Sequence, residues 1–255
     1  MNLVDTYTHL ILEKIENSSF FYKDKVSRAI KYLENKENIL FLTTSNRYDG
    51  APEKPKSTQL AYHIREKLAD KNVKIIEVPA LNILPCTGNV SLAEGNRCGV
   101  KDALVKDKKK NPSGLIRCWQ ALNEKDELYK VANAILEADA IIFFVSVRWG
   151  QTNHIYQKLI ERLDWIENRH TTLGEKSIIE GKDAGIVAIG QNWNGANVIK
   201  TEKQVYAFFG FKTPDALTFN WQYTDNSMDE KKISYLNAPK IFERVFGFLL
   251  KKDKK

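Results

Sequence analysis

The sequence predicts an α/β protein, a parallel β-sheet with helices on both faces. Three observations carry this. Short runs rich in Val, Ile and Phe alternate with longer amphipathic segments. The run AIIFFVS (Ala140–Ser146) is almost continuously apolar, as a strand covered on both faces must be. Polar, glycine-bearing loops follow the apolar runs, where a parallel sheet collects its ligand-binding residues.

The elements follow in order. Residues 1–36 read as a helical extension, with Val26, Ile30 and Leu33 as an apolar stripe that packs on the core or on another subunit. NILFLT (Asn38–Thr43) has strand length. STQLAYHIREKLAD (Ser57–Asp70) puts Leu60, Ala61, Ile64 and Leu68 on one helical face, with Ser57 as N-cap. VKIIEV (Val73–Val78) is a second strand. Residues 79–127 form a long irregular insertion with short helices of its own; Gly95–Trp119 is too basic for core, which suggests a substrate lid or dimer element. A helix over Asp126–Asp139 leads into the third strand, Ala140–Ser146. His154–Ile166 is helical, Ala184–Gly190 is a fourth strand, and Asn197–Gly210 is a helix closed by Gly210. Ala216–Tyr223 alternates like an edge strand, making five strands. Lys231–Leu250 is largely helical, interrupted at Pro239. We expect one domain over 1–255: the extension 1–36, a core over 38–223 and a C-terminal helix with basic tail over 229–255.

With 43% hydrophobic residues, the 255-residue chain can bury a full core. No run approaches the roughly 18 apolar residues of a membrane span. The N-terminus lacks a basic region followed by an apolar one, so we expect no secretory signal, no membrane partner and a cytoplasmic location. The net charge of +7 is concentrated partly in Lys106–Lys110 and Lys251–Lys255. Lysine clusters without interleaved arginine and aromatics read as solvated surface, so nucleic acid is not the expected partner. The basic surface still favours anionic cofactors. Cys86, Cys98 and Cys118 are sparse and odd in number, which reads as reduced thiols. His9 and His170 lack partners at metal-ligand spacing, and no metal is expected.

Three loops carry the candidate chemistry. After the first strand, TSNRYDGAPEKPKSTQ (Thr44–Gln59) offers Ser45, Asn46, Arg47, Ser57, Thr58 and Gln59, and ends at a helix N-terminus that favours an anion. It has neither the dinucleotide fingerprint nor the P-loop pattern, which leaves a phosphate cradle of hydroxyls, or a plain polar loop. After the third strand, SVRWGQTN (Ser146–Asn153) places Ser146, Val147, Arg148, Trp149, Gly150 and Gln151. After the fourth come Gly190, Gln191, Asn192, Trp193 and Gly195. Together these loops suit a ligand with a phosphate at one end and a planar, hydrogen-bonding ring at the other.

From Asn38 to Gly195 the sequence resembles the flavodoxin-like NAD(P)H-dependent FMN reductases, with their quinone- and azo-reducing relatives and the iron–sulfur flavoproteins. TSNR…KSTQL is similar to the family's phosphate loop, with Ser45, Arg47, Ser57 and Thr58 in matching places and Thr44 where glycine is usual. ADAIIFFVSVRWGQTNHIYQKLIERLDW matches the family pattern at Ala138-Asp139, Ile141-Ile142, Gly150 and Glu161-Arg162, with Ser146 for the usual proline and Arg148 for tyrosine. LNILPCTGN matches at Cys86, but Asn89 replaces the next cysteine, so the spacing for an iron–sulfur cluster is missing.

The resemblance implies a three-layer fold with sheet order 2-1-3-4-5 and non-covalent FMN. It implies NADPH or NADH as co-substrate, a small-molecule electron acceptor and a homodimer. The phosphate would lie at Ser45, Arg47, Ser57 and Thr58, and the ring between Ser146–Asn153 and Gly190–Gly195, with no side chain required as acid or base. A flavodoxin-type electron carrier, or a fold relative that has lost flavin, are the alternatives.

Overall fold

The computed structural model describes residues 21–47, 50–190, 193–222, 240 and 242–247. Expectations for residues 1–20, Gln191, Asn192, Tyr223 and most of the C-terminal segment, Pro239 included, lie outside the described residues. The apolar runs pair as strands β1 (Asn38–Thr43), β2 (Asn72–Glu77), β3 (Ala140–Arg148), β5 (Asp183–Gly190) and β6 (Thr218–Gln222). They lie side by side in the order β2-β1-β3-β5-β6, all parallel. This is the expected five-strand order and the flavodoxin-like arrangement. One strand was not expected: β4 (Gln151–Thr152) folds back antiparallel on Val147 and Arg148 and extends β3 beyond Ser146.

Because side chains alternate along a strand, adjacent residues of β3 serve opposite cores. Phe143 packs with Leu40, Ile186 and the helices α3 (Leu128–Glu137), α4 (His154–Thr171) and α5 (Gly195–Phe209). Phe144 packs with Phe41, Val187 and α2 (Lys56–Glu66), on the face that α1 (residues 21–33) also covers through Val26 and Leu33. Residues 21–36 of the N-terminal extension therefore pack on the core. Tyr32 donates to Asp183 at 2.9 Å and Lys36 pairs with the same carboxylate at 2.6 Å, tying the end of α1 to the start of β5.

The insertion corrects the expectation that Gly95–Trp119 is too basic for core. Ala103, Val105 and Ile116 are buried, and the latter two join Ile83 and Ala121 in the core under α3 and α4. Most of its lysines are exposed while Ala103, Val105 and Ile116 point in; Val90, Leu92 and Leu122 stay exposed. The fastening is an ion pair whose side chains are fully buried, Arg162 of α4 with Asp126, at 2.7 Å. Arg162 also donates to Leu84 O at 2.6 Å, so one guanidinium holds both ends of the insertion.

A buried polar triad lies between α4 and α5. Tyr156 Oη donates to Glu202 Oε2 at 2.6 Å and lies 2.7 Å from Tyr206 Oη, while Phe143 stacks on Tyr206. Burial pushes the Glu202 carboxyl above its ordinary value, partly offset by the Tyr156 hydrogen bond. A carboxyl raised in the folded state binds its proton more tightly there than in the unfolded chain. Its contribution to stability is complete below the unfolded pKa and is lost as pH rises through the folded one. Glu202→Gln keeps an acceptor for Tyr156 and removes the buried charge. The variant is expected to be more stable than the parent near pH 7, by about 1 kcal/mol, with the difference closing near pH 4. Urea midpoints at the two pH values test this, and an equal loss at both would contradict it.

Candidate functional site

The strand order reverses between β1 and β3, so the loops leaving their carboxyl ends diverge and leave a crevice. The end of β1 is pinned by Thr44 N, which donates to Phe144 O at 3.1 Å. Beyond it, Ser45 and Ser57 are buried and their hydroxyls lie 2.7 Å apart, joining the loop to the first turn of α2. Ser57 is therefore not the N-cap expected above. The helix starts at Lys56 after Pro55, with no side-chain cap and no acidic residue in its first turn. Thr58, one residue on, is buried and its hydroxyl has no hydrogen-bond partner. An uncapped helix start beside a hydroxyl pair and an unpartnered hydroxyl is what a phosphate would satisfy.

The other loop residues divide into two groups. Asn46 reaches across the crevice: its Oδ1 accepts from Arg148 Nη2 at 3.1 Å. Arg47 is exposed and faces Glu53 at 3.7 Å, while Gln59 turns into its own loop and donates to Lys54 O at 2.7 Å. The Lys56 ammonium next to Glu53 holds that carboxyl below its usual range.

At the end of β3, Ser146 is half-buried and Val147 buried, both in the sheet. Arg148 and Gln151 pair across the hairpin, and both are exposed. Trp149 and Gly150 form its tip at φ 53° and 71°. Trp149 is 84% exposed, which leaves a flat apolar face open at the sheet's end. Gly150 is required by contact as well as by φ. A Cβ there would lie 2.5 Å from the Trp193 ring, so the second indole lies against the first loop's backbone. Asn194 Nδ2 donates to Gly150 O at 2.7 Å and completes that junction. Gly190 ends β5 and Gly195, buried, opens α5.

The residue that organises this end is Asn153, the last of the ring loop, to which the sequence reading gave no role of its own. Asn153 Nδ2 donates to Thr44 Oγ1 and to Ser146 Oγ, both at 3.1 Å, and Asn153 Oδ1 accepts from Tyr156 N at 3.1 Å. It caps α4 while joining β1 to β3, and His154, exposed, is only the first helical residue. The signal was present as an asparagine directly before an amphipathic helix. Among the described residues no group of three His, Cys, Asp or Glu is placed to hold a metal ion, and no helix is long and apolar enough to cross a membrane.

No family model and no curated protein sequence matches the chain. Solved structures do. RosB, determined with bound 8-demethyl-8-formylriboflavin-5'-phosphate, is 13% identical with a TM-score of 0.56, over 84% of this chain and 76% of that one. Azoreductase AzrA is 15% identical with a TM-score of 0.50, over 83% of this chain and 96% of that one. At these identities the likeness shows a shared fold.

Asn153→Asp keeps the acceptor that caps α4 and removes both amide donors. We expect a loss of about 1–3 kcal/mol of stability, read from chemical denaturation, with far-UV helix content unchanged. Stability equal to the parent's would mean that the Thr44 and Ser146 bonds hold nothing in place.

Proposed function

We propose that the chain is an FMN-dependent NAD(P)H oxidoreductase. On this reading it transfers a hydride from NADH or NADPH, through bound FMN, to a quinone, an azo or nitro compound, or free flavin. The observation that carries it is the buried, unpartnered Thr58 hydroxyl beside the Ser45–Ser57 pair at the uncapped start of α2. This lies at the reversal between β1 and β3, the place where flavodoxin itself holds FMN.

FMN would supply the hydride chemistry; the chain supplies binding, orientation and electrostatics. Ser45, Ser57, Thr58 and the first N–H groups of α2 hold the phosphate, with Asn46 and Arg47 at its mouth. Ser146, Val147, Arg148, Trp149, Gly150 and Gln151 line one side of the ring. Gly190, Trp193 and Gly195 line the other. Arg148, bonded to Asn46, brings a cation to the ring's edge, where it favours negative charge on the reduced ring or on a nicotinamide phosphate. No side chain is assigned as general acid or base. The working form on this reading is a cytoplasmic homodimer acting on a small-molecule acceptor, with neither nucleic acid nor membrane as partner.

Ser57→Asp with Thr58→Asp puts two carboxylates where the phosphate sits. Flavin fluorescence titrations should show FMN binding by the parent and a loss of at least about 100-fold in the double variant, the scale of two like-charge contacts in a partly buried site. Ser57→Ala should weaken binding only modestly. Full retention of FMN by the double aspartate variant would overturn the cradle.

A further inference from the structure

Between α4, α5 and the first stretch of the insertion lies a groove of about 680 Å³. Small-molecule sites fall in the range of about 300–1,000 Å³. Its walls are apolar: Val90 comes from the insertion, Ile160 from α4, and Val205 and Phe208 from α5. Phe208 is 65% exposed and Val90 also faces solvent, so the groove presents apolar surface that no described residue covers.

The groove is not neutral. Glu161 and Asp164 lie one turn apart on α4 and line the same groove. Glu161 is exposed and Asp164 half-buried, where it accepts from the uncharged Asn168 amide at 3.1 Å. Neither carboxylate forms an ion pair with a described residue, and no described lysine or arginine lines the groove. The arginines of α4 are engaged elsewhere, Arg162 with Asp126 and Arg169 with Glu175, and Lys158, a turn before Glu161, makes no ion pair with it. Burial and the nearby Glu167 charge push the Asp164 carboxyl above its ordinary value, as expected where like charge gathers without a cation.

This combination selects an occupant. An apolar wall alone would accept any nonpolar surface, but two carboxylates without counter-charge repel anions. A second copy of the chain docked here about a two-fold axis would turn the two acidic pairs towards one another. We propose that the groove binds a hydrophobic organic cation, an aromatic or alkyl body that carries an ammonium or phosphonium centre. The body packs between Val90, Ile160, Val205 and Phe208, and the cationic centre lies at Glu161 and Asp164. Phe208 stands about 20 Å along α5 from Gly195, which borders the crevice, so this site does not depend on flavin or on the function proposed above.

The test uses the full chain and two probes of similar size, methyltriphenylphosphonium and the neutral triphenylphosphine oxide, each titrated by calorimetry. The parent should bind the cation at least about tenfold more tightly than the oxide. The net charge of +7 opposes general adsorption of a cation, so the preference reports a local site. Glu161→Gln with Asp164→Asn should lower the affinity for the cation at least about tenfold and leave that for the oxide unchanged, whereas Phe208→Ala should weaken both. Far-UV circular dichroism checks the fold of each variant, and the comparison of the two probes on the parent stands whether or not a variant folds. No binding of the cation by the parent, equal affinity for the two probes, or an unchanged cation affinity in a folded double variant would overturn the site. So would cation binding that falls as the protein concentration is raised while light scattering reports dimers, because a second copy would then occupy the groove.

Discussion

Where the strand order reverses, one carboxamide serves three partners. Asn153 donates to Thr44 at the end of β1 and to Ser146 on β3, and accepts from the first turn of α4. A buried amide of this kind is costly unless every group is satisfied, and here both its oxygen and its nitrogen are. Its bonds fix the separation of the two strand ends, and with it the crevice between the hydroxyl-rich loop and the Trp149 hairpin. The Arg148–Asn46 bond closes the crevice's outer edge, and Trp193 against Gly150 sets its far wall.

A second fastening lies below the crevice. Arg162 and Asp126 form a buried pair, and removing one partner of such a pair typically costs about 3–5 kcal/mol. The same guanidinium reaches Leu84 O and Cys118 Sγ. One side chain on α4 therefore anchors an insertion that has almost no regular secondary structure, only three short 3₁₀ turns. The insertion is held by its buried aliphatic residues and this arginine, and most of its lysines remain on the outside.

The sheet was legible because buried strands must be apolar on both faces and because helices alternate with them; Ala140–Ser146 alone sets the central strand. Three misreadings have physical causes. Ser57 looked like a cap, but a serine in the first turn can equally turn its hydroxyl sideways, and here Ser45 takes it. The basic insertion looked solvated because net charge was read without asking where Val105 and Ile116 point. β4 is two residues long, and a tight hairpin through Trp149 at positive φ carries no periodicity. At the site, the residue types were readable from the loops, whereas their pairing was not. The Asn46–Arg148 and Asn153–Thr44 bonds join residues more than a hundred positions apart, and only the sheet order brings them together.

On the proposed function, the crevice between β1 and β3 holds a flavin that the chain reduces with a nicotinamide. The most direct measurement is the visible spectrum of the purified protein reconstituted with FMN, followed by anaerobic addition of NADPH or NADH. Flavin bands should remain with the protein through gel filtration and bleach on addition of nicotinamide. Flavin that stays bound without bleaching would contradict the reductase reading and leave a carrier. No retained flavin at all would contradict the phosphate cradle on which the reading rests.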